Sequence, residues 1–196
     1  MAHEKLVASF PVLSITSSNI VTQRTLTSRA HLQVVLTDYL DSTLIDNLTY
    51  NVESNIELHS GSHAIVKGYI RGQSVTQCLD SISPSNDSGF DLIIMSDLVF
   101  NHSQHDAPLN TCDLALASPS SETSPSPALL VFYTHHRPHL AERDLDFFRK
   151  ARELGWICEE IVTENFPAIF PEDPGEEEVR ATVHGWRLRK PRPSGS

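Results

Sequence analysis

Glycine is scarce in this chain of 196 residues: there are 8, and none precedes Gly61. The first sixty residues therefore contain no backbone position freed of its Cβ for a tight approach to phosphate. Cysteine is scarcer still, and Cys78, Cys112 and Cys158 stand far apart, outside any C-x-x-C spacing. Neither a disulfide framework nor a cysteine zinc site is indicated, and a reducing compartment fits best. Long apolar runs are missing too. Leu6 to Ile15 comes nearest to a signal-peptide core, but Pro11, Ser9 and Ser14 interrupt it, and nothing approaches the roughly 20 apolar residues of a membrane span. The expectation is a soluble, cytoplasmic protein, in which the sequons at Asn47, Asn86 and Asn101 are chance products of a serine- and threonine-rich composition.

Positive charge is also in deficit, with 15 lysines and arginines against 25 acidic residues and a formal net charge of −10. Phosphate neutralisation needs a basic surface, so general nucleic-acid binding is disfavoured. Arg180, Arg187, Arg189, Lys190 and Arg192 gather near the end, where they read as charges that keep an edge strand and tail soluble.

What is present is a strand and helix alternation over one domain's length. Leu32 to Thr37 is a β-branched-rich run ending at Asp38 and reads as a buried strand. Asp41 then stands where an N-cap would, with Leu44, Ile45, Leu48, Val52 and Ile56 on one face at helical spacing. Ala64 to Ile70, Asp91 to Ser96 and Ala128 to Tyr133 repeat the strand pattern as nearly unbroken apolar runs, which suit strands covered on both faces. A helix is expected around Gln104 to Ala117, followed by an exposed Ser/Pro-rich loop from Ser118 to Pro127. His139 to Leu154 carries a second amphipathic helix, stopped by Gly155. Trp156 to Val162 reads as a strand, Glu172 to Glu178 as an acidic connector, and Val179 to Leu188 as a closing strand. The implied class is α/β with a doubly wound, mainly parallel sheet. Residues 1–30 show no sustained period and are set apart as an atypical segment. The domain is expected over 31–190 and a tail over 191–196.

In open α/β sheets ligands bind beyond the carboxyl ends of the strands, so the polar residues that follow each apolar run matter most. Asp38 and the pair Ser96 and Asp97 occupy such places. An ionised carboxylate only accepts hydrogen bonds and so suits both hydroxyls of a ribose, although a strand-terminal aspartate equally caps the next turn. His102 and His105 make H-x-x-H, and His135, His136 and His139 cluster. No carboxylate spacing supports a metal site, and solvent-facing histidines are expected.

Several segments together resemble the fungal nicotinamide N-methyltransferase-like family. They are Val35-Leu36-Thr37-Asp38-Tyr39 through Asp46-Asn47-Leu48 and Tyr50-Asn51-Val52, then Val66-Lys67-Gly68-Tyr69-Ile70, and the most specific block, Phe90-Asp91-Leu92-Ile93-Ile94-Met95-Ser96-Asp97-Leu98-Val99-Phe100-Asn101-His102. His135-His136-Arg137-Pro138 and Val183-His184-Gly185-Trp186 are similar as well. The resemblance spans roughly residues 33 to 190. It implies a seven-strand-type methyltransferase sheet that uses S-adenosylmethionine, with Asp38 on the cofactor ribose and Ser96 and Asp97 lining the pocket. It implies methyl transfer to an amine, in a family whose members include enzymes of translation elongation factor 1-alpha; nicotinamide is the small-molecule alternative. Asp97, Asn101 and His102 are then orienting groups beside the methyl, or turn and cap residues.

Two departures carry expectations of their own. The family has a glycine-rich loop before its Thr-Asp strand, and here that stretch contains no glycine. The first strand and its loop are thus expected to be missing or replaced, through a truncated or mis-assembled start or through a divergence that has lost cofactor binding. In the second case the chain is a non-catalytic interaction scaffold that retains the fold. Stability is expected to be marginal unless residues 6–15 supply a substitute strand. The family also has Trp-Gly after Gly-Tyr-Ile, where this chain has Arg71-Gly72.

Overall fold

In the computed structural model, which describes residues 20–25, 32–55, 63–82, 89–119, 126–167, 172 and 174–192, each of the apolar runs forms a strand. The order is β1 (Ile20–Thr25), β2 (Leu32–Asp38), α1 (Ser42–Asn55), β3 (His63–Gly68), α2 (Thr76–Leu79), β4 (Leu92–Ser96), α3 (Asp106–Ala115), β5 (Ala128–Thr134), α4 (Ala141–Glu153), β6 (Ile157–Asn165), α5 (Glu177–Ala181) and β7 (Thr182–Arg189).

Local chemistry explains the boundaries. Asp41 caps α1 as expected, its Oδ1 accepting the N–H groups of Thr43 at 2.9 Å and Leu44 at 3.3 Å. Gly155 ends α4 at φ +86°, a left-handed conformation that glycine adopts without strain. β3 stops at Gly68, two residues before the expected end, and Tyr69 N–H closes onto the carbonyl of Asp38 at 2.8 Å. The end of the acidic connector and the start of the expected last strand become α5, so β7 begins only at Thr182. Ile56, expected on the apolar face of α1, lies outside the described residues.

The seven strands form one sheet in the order β3-β2-β1-β4-β5-β7-β6. β2 and β3 pair in parallel, as do β4 and β5, whereas β1 runs antiparallel to both of its neighbours and β7 to both of its own. It follows that β2, β3, β4, β5 and β6 share one direction, and the sheet is mainly parallel in that sense. Residues 6–15, the expected source of a substitute strand, lie outside the described residues. The slot between β2 and β4 is filled by Ile20–Thr25 instead.

The basic residues of β7 do not blunt an edge, because β7 lies inside the sheet and β6 is the edge strand beside it. Arg187 instead pairs with Glu159 of β6 at 2.6 Å, and Arg189 approaches the same carboxylate at 3.6 Å. Glu159, Glu160 and Glu164, with a register break between Glu160 and Val162, discourage a further strand from adding to β6.

One face of the sheet carries the core. Ile93 and Met95 of β4, Leu129 and Val131 of β5, and Leu188 of β7 are buried there with Leu109 and Cys112 of α3 and Phe147, Phe148 and Ala151 of α4. The alternate residues Leu92, Ile94, Leu130 and Phe132 are only half-buried. These runs are therefore not sealed equally on both faces, contrary to the expectation drawn from their unbroken apolarity.

Candidate functional site at the carboxyl edge

The shared direction of β2 to β6 brings Asp38, Gly68, Ser96, Thr134 and Asn165 to one edge of the sheet. Asp38 ends β2 opposite Gly68 and is 8% exposed. Its Oδ1 accepts the N–H of Tyr39 at 2.7 Å, while its Oδ2 is buried without a hydrogen-bond partner. A buried carboxylate oxygen left in that state is costly unless a donor reaches it. It is also what a hydroxyl-bearing ligand would satisfy, so Asp38 fits the ribose of a nucleoside.

The turn after β3 forms the neighbouring lip. Gly72 has φ +83° and donates its N–H to Thr111 Oγ1 at 2.8 Å, and Tyr69 Oη lies 3.1 Å from that hydroxyl. A Cβ at Gly72 would come within 3.2 Å of the Ala107 Cβ, so the turn sits directly on α3. Arg71 is half-buried in this turn; burial lowers its pKa, and the nearby Asp38 carboxylate acts the other way. Beneath the lip, Thr37, Tyr69, Phe90, Ile93 and Thr111 line a cavity of about 20 Å³, room for no more than a water. A ligand at Asp38 would lie above this closed floor.

Ser96 ends β4 opposite Phe132 of β5, half-buried. Asp97 then turns the chain at φ +50°, a conformation that aspartate tolerates better than most residues. Its N–H reaches the carbonyl of Phe132 at 2.9 Å, and its Oδ1 lies 3.4 Å from both Thr134 N–H and His136 Nε2. Ser96 and Asp97 thus stand on one lip of the edge and Asp38 on another, with the start of β1 between them.

Of the histidines expected to face solvent, His139 is exposed and His136 part-exposed, whereas His102, His105 and His135 turn inward. His102 Nε2 lies 2.6 Å from Asp144 Oδ1, and His135 Nδ1 lies 2.7 Å from Asp144 Oδ2. His105, 1% exposed, sits 2.6 Å through Nε2 from the carbonyl of Val99, so the two members of H-x-x-H turn to different partners. Asp144 was not singled out in the sequence, yet a signal for it exists. It falls within the inward stripe of Leu140, Phe147, Phe148 and Ala151, where a carboxylate needs a reason to be. Further along the same edge, Asn165, Phe166, Glu177 and Glu178 line an open cleft of about 580 Å³.

A mainly parallel α/β sheet with carboxylates at the ends of two parallel strands, β2 and β4, on either side of β1, belongs to the class that binds ligands across its carboxyl edge. No family model matches the chain. Among curated proteins, it is 45% identical over 166 residues to the protein N-terminal and lysine N-methyltransferase of Cryptococcus neoformans, covering 79% of this chain and 55% of that one. The Schizosaccharomyces pombe protein of the same name is 41% identical over 160 residues, covering 82% and 60%, and that of Eremothecium gossypii is 40% identical over 162 residues, covering 80% and 57%. Over the matched span the chain is similar to these fungal N-methyltransferases. It spans somewhat more than half the length of these relatives.

Proposed function

We propose that the chain is an S-adenosylmethionine-dependent N-methyltransferase whose substrate is a protein amine, an N-terminus or a lysine. The observation that carries this reading is the buried, unpartnered Oδ2 of Asp38 at the carboxyl edge, within a sequence homologous to enzymes of that name. Asp38 would hold the ribose, and Ser96 and Asp97 would line the methyl-bearing end of the pocket. The cofactor supplies a methyl already activated on a sulfonium, so no protein nucleophile is required. The work left to these residues is to orient an uncharged amine in line with that methyl and to exclude water. A net charge of −10 favours a cationic protein partner over a neutral small molecule such as nicotinamide, and elongation factor 1-alpha is the partner that the family resemblance suggests. The working domain, expected over 31–190, extends back to include β1, which pairs with both β2 and β4, and the compartment we propose is the cytoplasm. Incubation with labelled S-adenosylmethionine and purified elongation factor 1-alpha is expected to label the protein; label on nicotinamide alone would overturn the substrate class.

A second reading rests on a specific observation. β1 enters the middle of the sheet reversed, so its first residue, not its last, lies at the carboxyl edge. Among the described residues, β1 therefore offers no strand-to-helix turn at the carboxyl edge for phosphate or carboxylate to approach. On this reading the chain is a non-catalytic scaffold that retains the fold, and failure to bind the cofactor would favour it.

A further inference from the structure

Consecutive histidines at the end of β5 reach two different carboxylates. His135 is buried and turns inward to Asp144, whereas His136 is part-exposed and faces Asp97. Asp144 also takes His102. The segment from Asp97 to His102, which follows β4, is therefore held at both ends by the same turn. Its first residue is held through His136 and the N–H of Thr134, its last through Asp144 and His135.

Asp144 is 2% exposed and stands in the first turn of α4, where the helix dipole favours an anion. An ionised carboxylate only accepts, so both facing imidazole nitrogens must donate. That fixes His102 as protonated at Nε2 and His135 as protonated at Nδ1. An apolar residue would fill this place on α4 with no desolvation to offset, so a buried carboxylate here serves geometry more than packing.

We infer that Asp144 is a positioning residue: through His102 and His135 it sets the conformation of residues 97–102, the lip on which Asp97 stands. Its bearing on methyl transfer rests on the function proposed above. The arrangement itself does not, and it can be tested without turnover.

The test is nitrogen-proton correlation spectroscopy of the imidazoles and backbone amides of the full chain, comparing wild type with Asp144→Asn and, as a control on the exposed side of the same helix, Asp146→Asn. The wild type is expected to show a hydrogen-bonded proton on Nε2 of His102 and on Nδ1 of His135. An asparagine offers only one acceptor oxygen, so in Asp144→Asn at least one of those protons is lost and the amides of 97–102 shift, while Asp146→Asn leaves both unchanged. The opposite tautomers in the wild type, or amide shifts confined to α4, would overturn the proposal. Should Asp144→Asn fail to fold, His102→Gln is expected to shift the amides of 97–101 while His135 keeps its Nδ1 proton; unmoved amides there would overturn it as well. A wild-type chain with both protons in place but no methyl transfer supports the positioning role and counts against the enzymatic reading alone.

Discussion

Ile20 stands opposite Thr37, so β1 begins at the level where β2 ends. On its other side Ile20 faces Met95 of β4, and the strand descends between two strands that rise. Antiparallel pairing brings facing residues to about 4.5 Å between Cα atoms at the non-hydrogen-bonded positions, close enough for strong cross-strand Hα contacts. Nuclear Overhauser spectra should therefore show Hα–Hα cross-peaks between residues 20–25 and 32–37. Their absence, with sequential-type parallel contacts in their place, would show that β1 runs the other way.

Gly185 of β7 faces Phe132 of β5 on one side and Val162 of β6 on the other. A Cβ there would lie 2.7 Å from Phe132 Cε1 and 2.9 Å from Val162 Cβ. The Val162 atom is tied to its backbone and cannot swing aside, so Gly185→Ala overpacks the junction of three strands. The expected cost is about 1–3 kcal/mol. Thermal unfolding should show a midpoint lower by roughly 3–10 °C; an unchanged midpoint would mean that the strands part more easily than their register implies.

His105 sets a pH limit. Burial lowers its pKa below the ordinary 6.5, against the opposing pull of its bond to the Val99 carbonyl. Its Nδ1 is buried without a partner, so a second proton would bring a charge with nothing to receive it. The folded imidazole thus refuses a proton that the unfolded one accepts. Stability is unaffected above the unfolded value and falls as pH drops from there toward the folded one. Urea unfolding at pH 7.5 and 5.5, values chosen to bracket that limit, should show a smaller acid loss in His105→Gln than in the wild type. Equal losses would assign the acid sensitivity to other groups.

Most of this architecture was legible in local pattern. Apolar runs such as Val34 to Leu36 and Ile93 to Met95 announce strands by themselves, and the polar residues after them, Asp38, Ser96 and Asp97, fall at the carboxyl edge by topology alone. Asp41 and Gly155 act as cap and stop because their effects reach only a few residues. β1 was hidden for a physical reason: Ile-Val-Thr-Gln-Arg-Thr has too short a pattern to stand out, and its place is set by pairing on both sides. The tie between His102 and Asp144 spans 42 positions and depends on how α4 docks, which no local spacing encodes. The histidine cluster was visible, but the burial of His105 and His135 was not.

Asp38 offers the most direct test of the central claim. Its Oδ2 has no hydrogen-bond partner within the protein, so removing the carboxylate should cost about 1 kcal/mol, through the lost Oδ1 bond to Tyr39 N–H, while removing the acceptor that the ribose would use. Calorimetric titration with S-adenosylmethionine is expected to show saturable binding by the wild type, weakened about tenfold or more in Asp38→Ala, a loss of roughly 1.4 kcal/mol or greater. The thermal midpoint of the variant should fall by only about 2–4 °C, the share of the lost bond to Tyr39 N–H. No binding by the wild type at millimolar cofactor, or equal binding by the two proteins, would contradict the assignment of this edge as the cofactor site.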